Sequence, residues 1–175
     1  MIYTDDKTIQ TIKDKAKTIV AACDCALSLI DSVQGAILQF AGKSITGNKK
    51  RITDAIQAIN KNLIVKIEWD NWLGADLQIY YWDSTQRSYD KNTNYYLSWG
   101  GWDKDNTIKA DKICEQLAHG KKNLEVEKAR AIYTAKNAKS ILTKHKKYCD
   151  ELNKIQHDCD SELLRIAGIK QLYYV

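Results

Sequence analysis

Near the C-terminal end of the chain lie four residues of the types that bind zinc: His145, Cys149, His157 and Cys159. A spacing of four places His145 and Cys149 on the same side of a helix, and imidazole and thiolate are preferred zinc ligands. All four could converge only at a helix break or with a second chain. The pattern therefore predicts no metal site, and we expect His145 and Cys149 to line a helix seam.

The tripeptide Gly42-Lys43-Ser44 has the ending of a phosphate-binding loop. That loop needs an earlier glycine, where this chain has Ile37, and it follows a strand, whereas these residues follow a helical pattern. Without a glycine-rich turn the backbone N–H groups cannot surround a phosphate. We expect a helix C-cap with a lysine side chain folded back onto it, and no cofactor.

Catalytic arrangements find little support in the sequence. The carboxylates of the central region fall in loop patterns, where aspartate usually caps a turn; they are Asp70, Asp76, Asp83, Asp90, Asp103 and Asp105. The five cysteines match no disulfide framework and are expected to be buried free thiols. An enzyme or small-ligand binder with a pocket lined by Trp and Asp needs two carboxylates to converge, one of them desolvated.

Aromatic residues concentrate in one short stretch. All five tryptophans and half of the ten tyrosines lie between residues 68 and 103. Large rings bury much apolar area and carry a polar group, so their concentration predicts either the main core or a recognition surface.

Basic residues concentrate in a second stretch, 121–147, which we call the basic segment. It has nine basic residues against Glu125 and Glu127, a surplus larger than the net charge of +5 of the whole chain. A basic helix can bind a phosphate backbone or an acidic protein. The lysines expected to do so are Lys121, Lys122, Lys136, Lys139, Lys144, Lys146 and Lys147.

Apolar periodicity predicts the elements that position these residues. Spacings alternating between three and four over 9–40 indicate a long helix that Gly42 stops, and a shorter helical pattern follows around Ile52 and Ile56. Helical spacing returns after Asp103, in a short helix that Gly120 is expected to close. A last long helix, similar in length to the first and antiparallel to it, has its seam at Ile141, His145, Tyr148, Leu152, Ile155, Cys159 and Ile166.

Between the helices the period changes to two, which predicts three antiparallel strands at 63–69, 77–82 and 95–99. Alternation assigns an inner face to Leu63, Val65, Ile67, Leu77, Ile79, Tyr81, Tyr95, Leu97 and Trp99. The opposite face then carries Tyr80, Trp82 and Tyr96 beside Lys66, Glu68, Gln78 and Ser98.

The predicted fold class is α+β, with two long antiparallel helices plus short helices packed with a three-stranded antiparallel β-meander. The length suits a single domain over 1–175, helical in 1–62, a β-meander in 63–103 and helical in 104–175. Uninterrupted apolar runs are too short for a bilayer and the N-terminal residues lack a signal-peptide pattern. We therefore expect a cytoplasmic protein with no membrane partner.

The function that these patterns favour is that of a non-enzymatic module that binds another protein. The expected contact residues are Tyr80, Trp82, Tyr96, Lys66 and Glu68, or the basic segment. A small lysine- and isoleucine-rich chain is also typical of an inhibitor that a virus or mobile element directs at a host defence complex. The alternatives are nucleic-acid binding by 121–147 and the Trp/Asp-lined pocket, and the long helices favour a homo-oligomer.

Overall fold

The computed structural model describes residues 6–82, 94–98 and 104–167, and the side chains of all of these except 94 and 160–167. The elements are α1 (Asp6–Leu38), α2 (Lys49–Ile59), β1 (Leu63–Asp70), β2 (Gly74–Trp82), β3 (Asn94–Ser98) and α3 (Ala110–Ala167), with a short 3-10 turn at Thr46–Asn48. The fold is α+β with one three-stranded antiparallel sheet, as the change of period from helix to strand predicts.

The chain divides into two compact units. The larger unit is Ala16–Ile132 and contains the sheet, and the smaller unit consists of Met1–Lys15 and Tyr133–Val175. Both long helices contribute residues to both units. The single domain over 1–175 stays a prediction.

In the larger unit a narrow stripe of α1 enters the core. The buried residues on this stripe recur at spacings of three and four: Cys23, Ala26, Ile30, Val33 and Ile37. They join one apolar cluster with the inner sheet face, with Ile52 and Ile56 of α2, and with Ile113, Leu117 and Leu124 of α3. The heptad pattern of the sequence therefore reflects a helix that is buried along one side.

Helices α1 and α3 run antiparallel in this unit. Lys128 Nζ lies 2.6 Å from Asp24 Oδ1, while Gln34 Nε2 lies 3.2 Å from Cys114 Sγ. Position 24 of α1 thus contacts position 128 of α3, whereas the later position 34 contacts the earlier position 114, so the two helices run in opposite directions. The two long helices agree with the expectation, although α1 has 33 residues and α3 has 58.

The inner face of the sheet is turned to the core. Seven of the residues that alternation assigned to it are buried, and Val65 is half-buried; the seven are Leu63, Ile67, Leu77, Ile79, Tyr81, Tyr95 and Leu97. Trp99 lies outside the described residues. The order of the strands is β1-β2-β3, as in a meander.

One irregularity interrupts the pairing of β2 with β3. Tyr80 faces Tyr96 but Ile79 faces Ser98, so Leu97 is the extra residue of a β-bulge. Ser98 is fully buried and its hydroxyl donates a hydrogen bond to Gln116 Oε1 at 3.2 Å. Its expected place on the outer face was wrong, because one inserted residue puts Ser98 opposite an inner-face residue.

The segment after α1 is hydrogen-bonded to the segment before α3. The Gly42 N–H donates to the Ile108 carbonyl at 2.8 Å, and the Ile108 N–H donates to the Lys43 carbonyl at 3.0 Å. Asn106 has a positive φ of 48°; its amide nitrogen donates to Thr46 Oγ1 at 2.7 Å and its amide oxygen accepts from the Thr46 N–H at 3.1 Å. We call this arrangement the Asn106 clamp.

Helix α3 continues through Gly120, where the sequence predicted a helix end. A Cβ at this position would lie 1.9 Å from the carbonyl oxygen and 2.7 Å from the carbonyl carbon of Leu97. The expected helix end was therefore wrong. Glycine is required because the bulged backbone of β3 lies against the helix there.

In the smaller unit, Ile9 of α1 and Ala138 of α3 are buried. Beyond residue 142 the described side chains of α3 are exposed, apart from the half-buried Cys149. The C-terminal seam of the sequence therefore lies open in the described part of this unit, although we expected the first helix to cover it.

Helix α1 is long and apolar enough to cross a membrane, judged by length and composition alone. The core helix of a soluble protein meets the same criteria, and one stripe of α1 is buried in the core. The cytoplasmic location stays a prediction.

Candidate functional site

The outer face of the sheet is organised in cross-strand rows. We use the name outer sheet face for Lys66, Glu68, Gln78, Tyr80, Trp82 and Tyr96. Ile64, Tyr80 and Tyr96 form one row across the three strands, and Lys66 faces Gln78 in the next. The face thus has an aromatic half near the end of β2 and a polar half near the β1–β2 turn.

The aromatic half brings together three rings that the sequence assigned to one side. The centroids of Tyr80 and Tyr96 lie 5.4 Å apart with their planes at 53°, a favourable tilted geometry for a cross-strand pair. Both tyrosines are half-buried. Trp82 follows Tyr80 by two positions, so strand alternation puts it on the same face, and 43% of its surface is exposed.

The polar half is held by an ion pair within β1. Lys66 Nζ lies 2.9 Å from Glu68 Oε1, and about half of each side chain is exposed. The hydrogen bond to Glu68 raises the pKa of the Lys66 ammonium, and the nearby Glu68, Tyr96 and Asp76 raise it further. Lys66 is therefore cationic at neutral pH. Its charge offsets part of the repulsion between two neighbouring carboxylates, Glu68 and Asp76.

The second of these carboxylates, Asp76, lies in β2 and not in a loop as the sequence suggested. It faces Glu68 in the register and is only 5% exposed. Gln78 Nε2 donates to its Oδ2 at 2.7 Å, whereas its Oδ1 is buried without a hydrogen-bond partner among the described residues. A buried carboxylate oxygen in this state is costly, and the site is the least well satisfied polar group of the described sheet.

The turn between β1 and β2 exposes large apolar side chains that we did not assign to a site. We call residues 69–73 the hairpin tip; Trp72 is 86% exposed, and Trp69 and Leu73 are each about half exposed. Asp70 Oδ1 accepts from the backbone N–H groups of Trp72 at 2.7 Å and Leu73 at 2.9 Å, so it caps the turn. The signal was present in the sequence, since Trp and Leu stand where a turn normally has small polar residues.

The basic segment lies wholly within α3, and its seven named lysines are all exposed. Within the part of the chain that the structure describes, Lys147 has an ion-pair partner, Glu151 at 3.8 Å, and Lys136, Lys139, Lys144 and Lys146 have none. Lys121 and Lys122 belong to the larger unit, and the other five belong to the smaller one.

The phosphate-loop-like tripeptide and the metal-type residues form no site in the described regions. Gly42 has a φ of +75°, and Lys43 Nζ donates to the Gln39 carbonyl at 3.1 Å, which is the folded-back lysine that we expected. His145 Nδ1 and Cys149 Sγ are 3.4 Å apart on an exposed side of α3. In the same regions there is no group of three or more metal-type ligands.

All five cysteines are free, but not all are buried as expected. Cys23 is buried, Cys114 and Cys149 are half-buried, and Cys25 and Cys159 are exposed. Burial, followed by the nearby charges of Glu127 and Asp24, raises the pKa of the Cys23 thiol to about 11.

The described residues show an open depression of about 460 Å³ on α3, lined by Glu115, Gln116, Ala118, His119 and Lys122. This lining contains neither Trp nor Asp. Of the aspartates considered for catalysis, Asp105 pairs with Lys109 at 2.6 Å, and Asp83, Asp90 and Asp103 lie outside the described residues. No protein-family model, curated protein or solved structure matches the chain.

Proposed function

We propose that this protein is a non-enzymatic interaction module that binds another protein through its outer sheet face. The observation that carries the proposal is the exposed indole of Trp82 beside the Tyr80–Tyr96 pair. Exposed aromatic rings on a rigid, hydrogen-bonded sheet lose little conformational entropy when a partner covers them, and such rings are typical anchors of protein interfaces.

The charges of the face indicate the chemistry of the partner. The carboxylate of Glu68 is about half exposed beside Lys66, and the buried Asp76 faces Glu68 across β1 and β2. A partner that presents a basic side chain next to an apolar group would complement both halves of the face. The hairpin tip follows directly on the row of Glu68 and Asp76 in β1 and β2, so it extends the apolar contact area beyond the polar half.

The test is capture of the partner from the native host with the tagged chain, followed by measurement of the affinity of each variant for the partner identified. Trp82→Ala and Tyr96→Ala should each weaken binding by about 30-fold or more, since truncation of a central aromatic residue costs about 2 kcal/mol or more. Tyr133→Ala is the matched control, because Tyr133 is an exposed ring on α3.

The melting temperature separates a recognition role from a structural role. If the face is functional, Trp82→Ala melts within about 2 °C of the wild-type protein, because its indole is already partly in water. Early melting of both variants with unchanged affinity for the partner would show that the rings serve the core, and the basic segment would then become the preferred contact surface.

The second candidate function is nucleic-acid binding through the basic segment. It is favoured by Lys136, Lys139, Lys144 and Lys146, which are exposed and have no ion-pair partner in the described regions. A labelled oligonucleotide should lose about 10³- to 10⁵-fold in affinity between 50 and 200 mM salt if six or more phosphates are contacted. Binding by the outer sheet face should depend weakly on salt, so the salt titration distinguishes the two functions.

The partner class that we favour is a protein complex of a host defence system, with this chain as an inhibitor carried by a virus or mobile element. The proposal rests on the lysine- and isoleucine-rich composition of the chain. Capture of a partner that belongs to no defence complex would contradict this proposal.

A further inference from the structure

The C-terminal half of α3 carries an exposed apolar stripe with heptad spacing. We call Ile141, His145, Tyr148, Leu152, Ile155 and Cys159 the distal seam. Their spacings alternate between four and three, and at about 100° per residue all six fall within an arc of about 80°. Tyr148 is 60% exposed and Ile155 is 58% exposed.

Helix α1 is too short to cover this stripe within the smaller unit. It contributes Asp6–Lys15 to that unit, about 15 Å of helix, whereas α3 runs there from Tyr133 to Ala167, about 50 Å. No described residue other than those of these two helices belongs to the smaller unit. Most of the distal seam therefore has no partner among the residues that the structure describes.

A stripe with this period matches the surface that one helix presents to another helix. Apolar residues at alternating spacings of three and four form the narrow seam of a two-stranded coiled coil. A helical segment that leaves such a seam in water gains nothing from packing and is only marginally stable. The pattern thus favours a partner that is itself a long helix.

The charges along the seam are complementary to those of a second copy of the same helix. On one edge lie Lys144, Glu151 and Asp158, and on the other edge lie the uncharged Cys149 and Gln156. A parallel pair would place each charged edge against an uncharged edge of its partner. An antiparallel pair of identical helices places the charged edges together, with Lys144 of one copy beside Glu151 or Asp158 of the other.

We propose that the distal seam is a self-association surface, on which a second copy of this chain packs antiparallel. The pairing buries the rings and aliphatic side chains of both seams, and it is symmetric, as contacts in closed dimers are. The surface differs from the outer sheet face, so the dimer leaves that face open for another protein.

The first experiment measures mass by light scattering and the dimer dissociation constant by sedimentation. The wild-type chain should be a dimer at about 100 μM, and Leu152→Asp should raise the dissociation constant by about 100-fold or more, because it places a carboxylate in an apolar seam. The matched control is Asn153→Asp, which adds the same charge at an exposed position off the seam and should leave the dimer intact.

Folding is checked separately in this experiment. Leu152 is 45% exposed and belongs to no buried cluster, so the larger unit should melt at the same temperature in Leu152→Asp and in Asn153→Asp. A wild-type chain that is monomeric at 100 μM would overturn the proposal. So would a dimer that Leu152→Asp leaves unchanged.

The second experiment tests the orientation. Lys144→Glu should weaken the antiparallel dimer by about tenfold, and the double variant Lys144→Glu with Glu151→Lys or with Asp158→Lys should restore it. In a parallel dimer these residues face uncharged side chains, so an unchanged dissociation constant in Lys144→Glu would overturn the antiparallel assignment. Trp82→Ala should not affect the mass, which keeps this test independent of the proposed function.

Discussion

The close approach of α3 to the β3 bulge makes Gly120→Ala the most informative single substitution. Alanine favours a helix over glycine by about 1 kcal/mol, so helix propensity alone predicts a more stable protein. The new Cβ would lie 1.9 Å from the carbonyl oxygen of Leu97, however, whereas non-bonded contact begins near about 3.5 Å. The helix or the strand would have to move by more than about 1 Å.

Over-packing of this kind costs about 1–3 kcal/mol, and more when the obstacle is backbone, which cannot change its rotamer. We therefore expect Gly120→Ala to lose about 2 kcal/mol or more of unfolding free energy, after the gain in helix propensity. At about 2–4 °C per kcal/mol for a chain of this length, the melting temperature should fall by about 4–8 °C or more. The disturbed bulge should also expose the Ser98 hydroxyl.

The matched control is Gly35→Ala, in the last turn of α1. A Cβ there meets nothing within 4 Å, so this variant should gain up to about 1 kcal/mol of unfolding free energy and melt up to about 4 °C higher. Thermal melting followed by far-UV circular dichroism, together with urea titration, measures both. If Gly120→Ala is stabilised as much as Gly35→Ala, the close approach of helix and strand is wrong. If Gly120→Asn is tolerated better than Gly120→Ala, Gly120 ends a helix after all, because Asn suits a left-handed C-cap.

Three further predictions concern other parts of the larger unit. Asn106→Ala should lower the unfolding free energy measured by urea titration by about 2–3 kcal/mol, because alanine keeps the positive φ but lacks the side-chain hydrogen bonds. Asn106→Gly should lower it less, because glycine relieves the backbone strain. The pKa of the buried Cys23 thiol is raised to about 11, so Cys23 should react with a thiol reagent at pH 8 at least about 100-fold more slowly than the exposed Cys25. Equal labelling of the two cysteines in mass mapping would contradict the burial of Cys23. Ile30→Asp should unfold the protein, because it places an unpaired charge in the core, and an unchanged far-UV spectrum and melting temperature would refute that packing.

Periodicity in the sequence was sufficient for the fold class and for most of the sheet. The long helix predicted from the apolar spacings over 9–40 is observed as Asp6–Leu38, and the expected strand at 63–69 is observed as Leu63–Asp70. The tyrosine rings expected on one face meet in register across β2 and β3. Patterns of this kind are readable because every turn of a helix and every pair of strand residues repeats the same signal.

Features set by a single residue could not be predicted in the same way. The bulge at Leu97 reverses the side assigned to Ser98, and no period records one inserted residue. A glycine at position 120 looks the same in the sequence whether it ends a helix or allows another backbone to come close. Only the position of the Leu97 backbone in the fold shows that the second role applies. The Asn106 clamp joins segments that are 60 residues apart, a separation at which local sequence patterns carry no information.

The antiparallel contact between the two long helices also has a consequence for the newly made chain on the ribosome. Asp24 of α1 and its partner Lys128 of α3 are separated by 104 residues. At about 5–20 residues per second, roughly 5–20 s pass between the synthesis of the two. During that interval the most apolar helix of the described chain has been made, but α3, which completes the apolar cluster around it, has not. The part of α1 that α3 later contacts is therefore available to ribosome-associated chaperones.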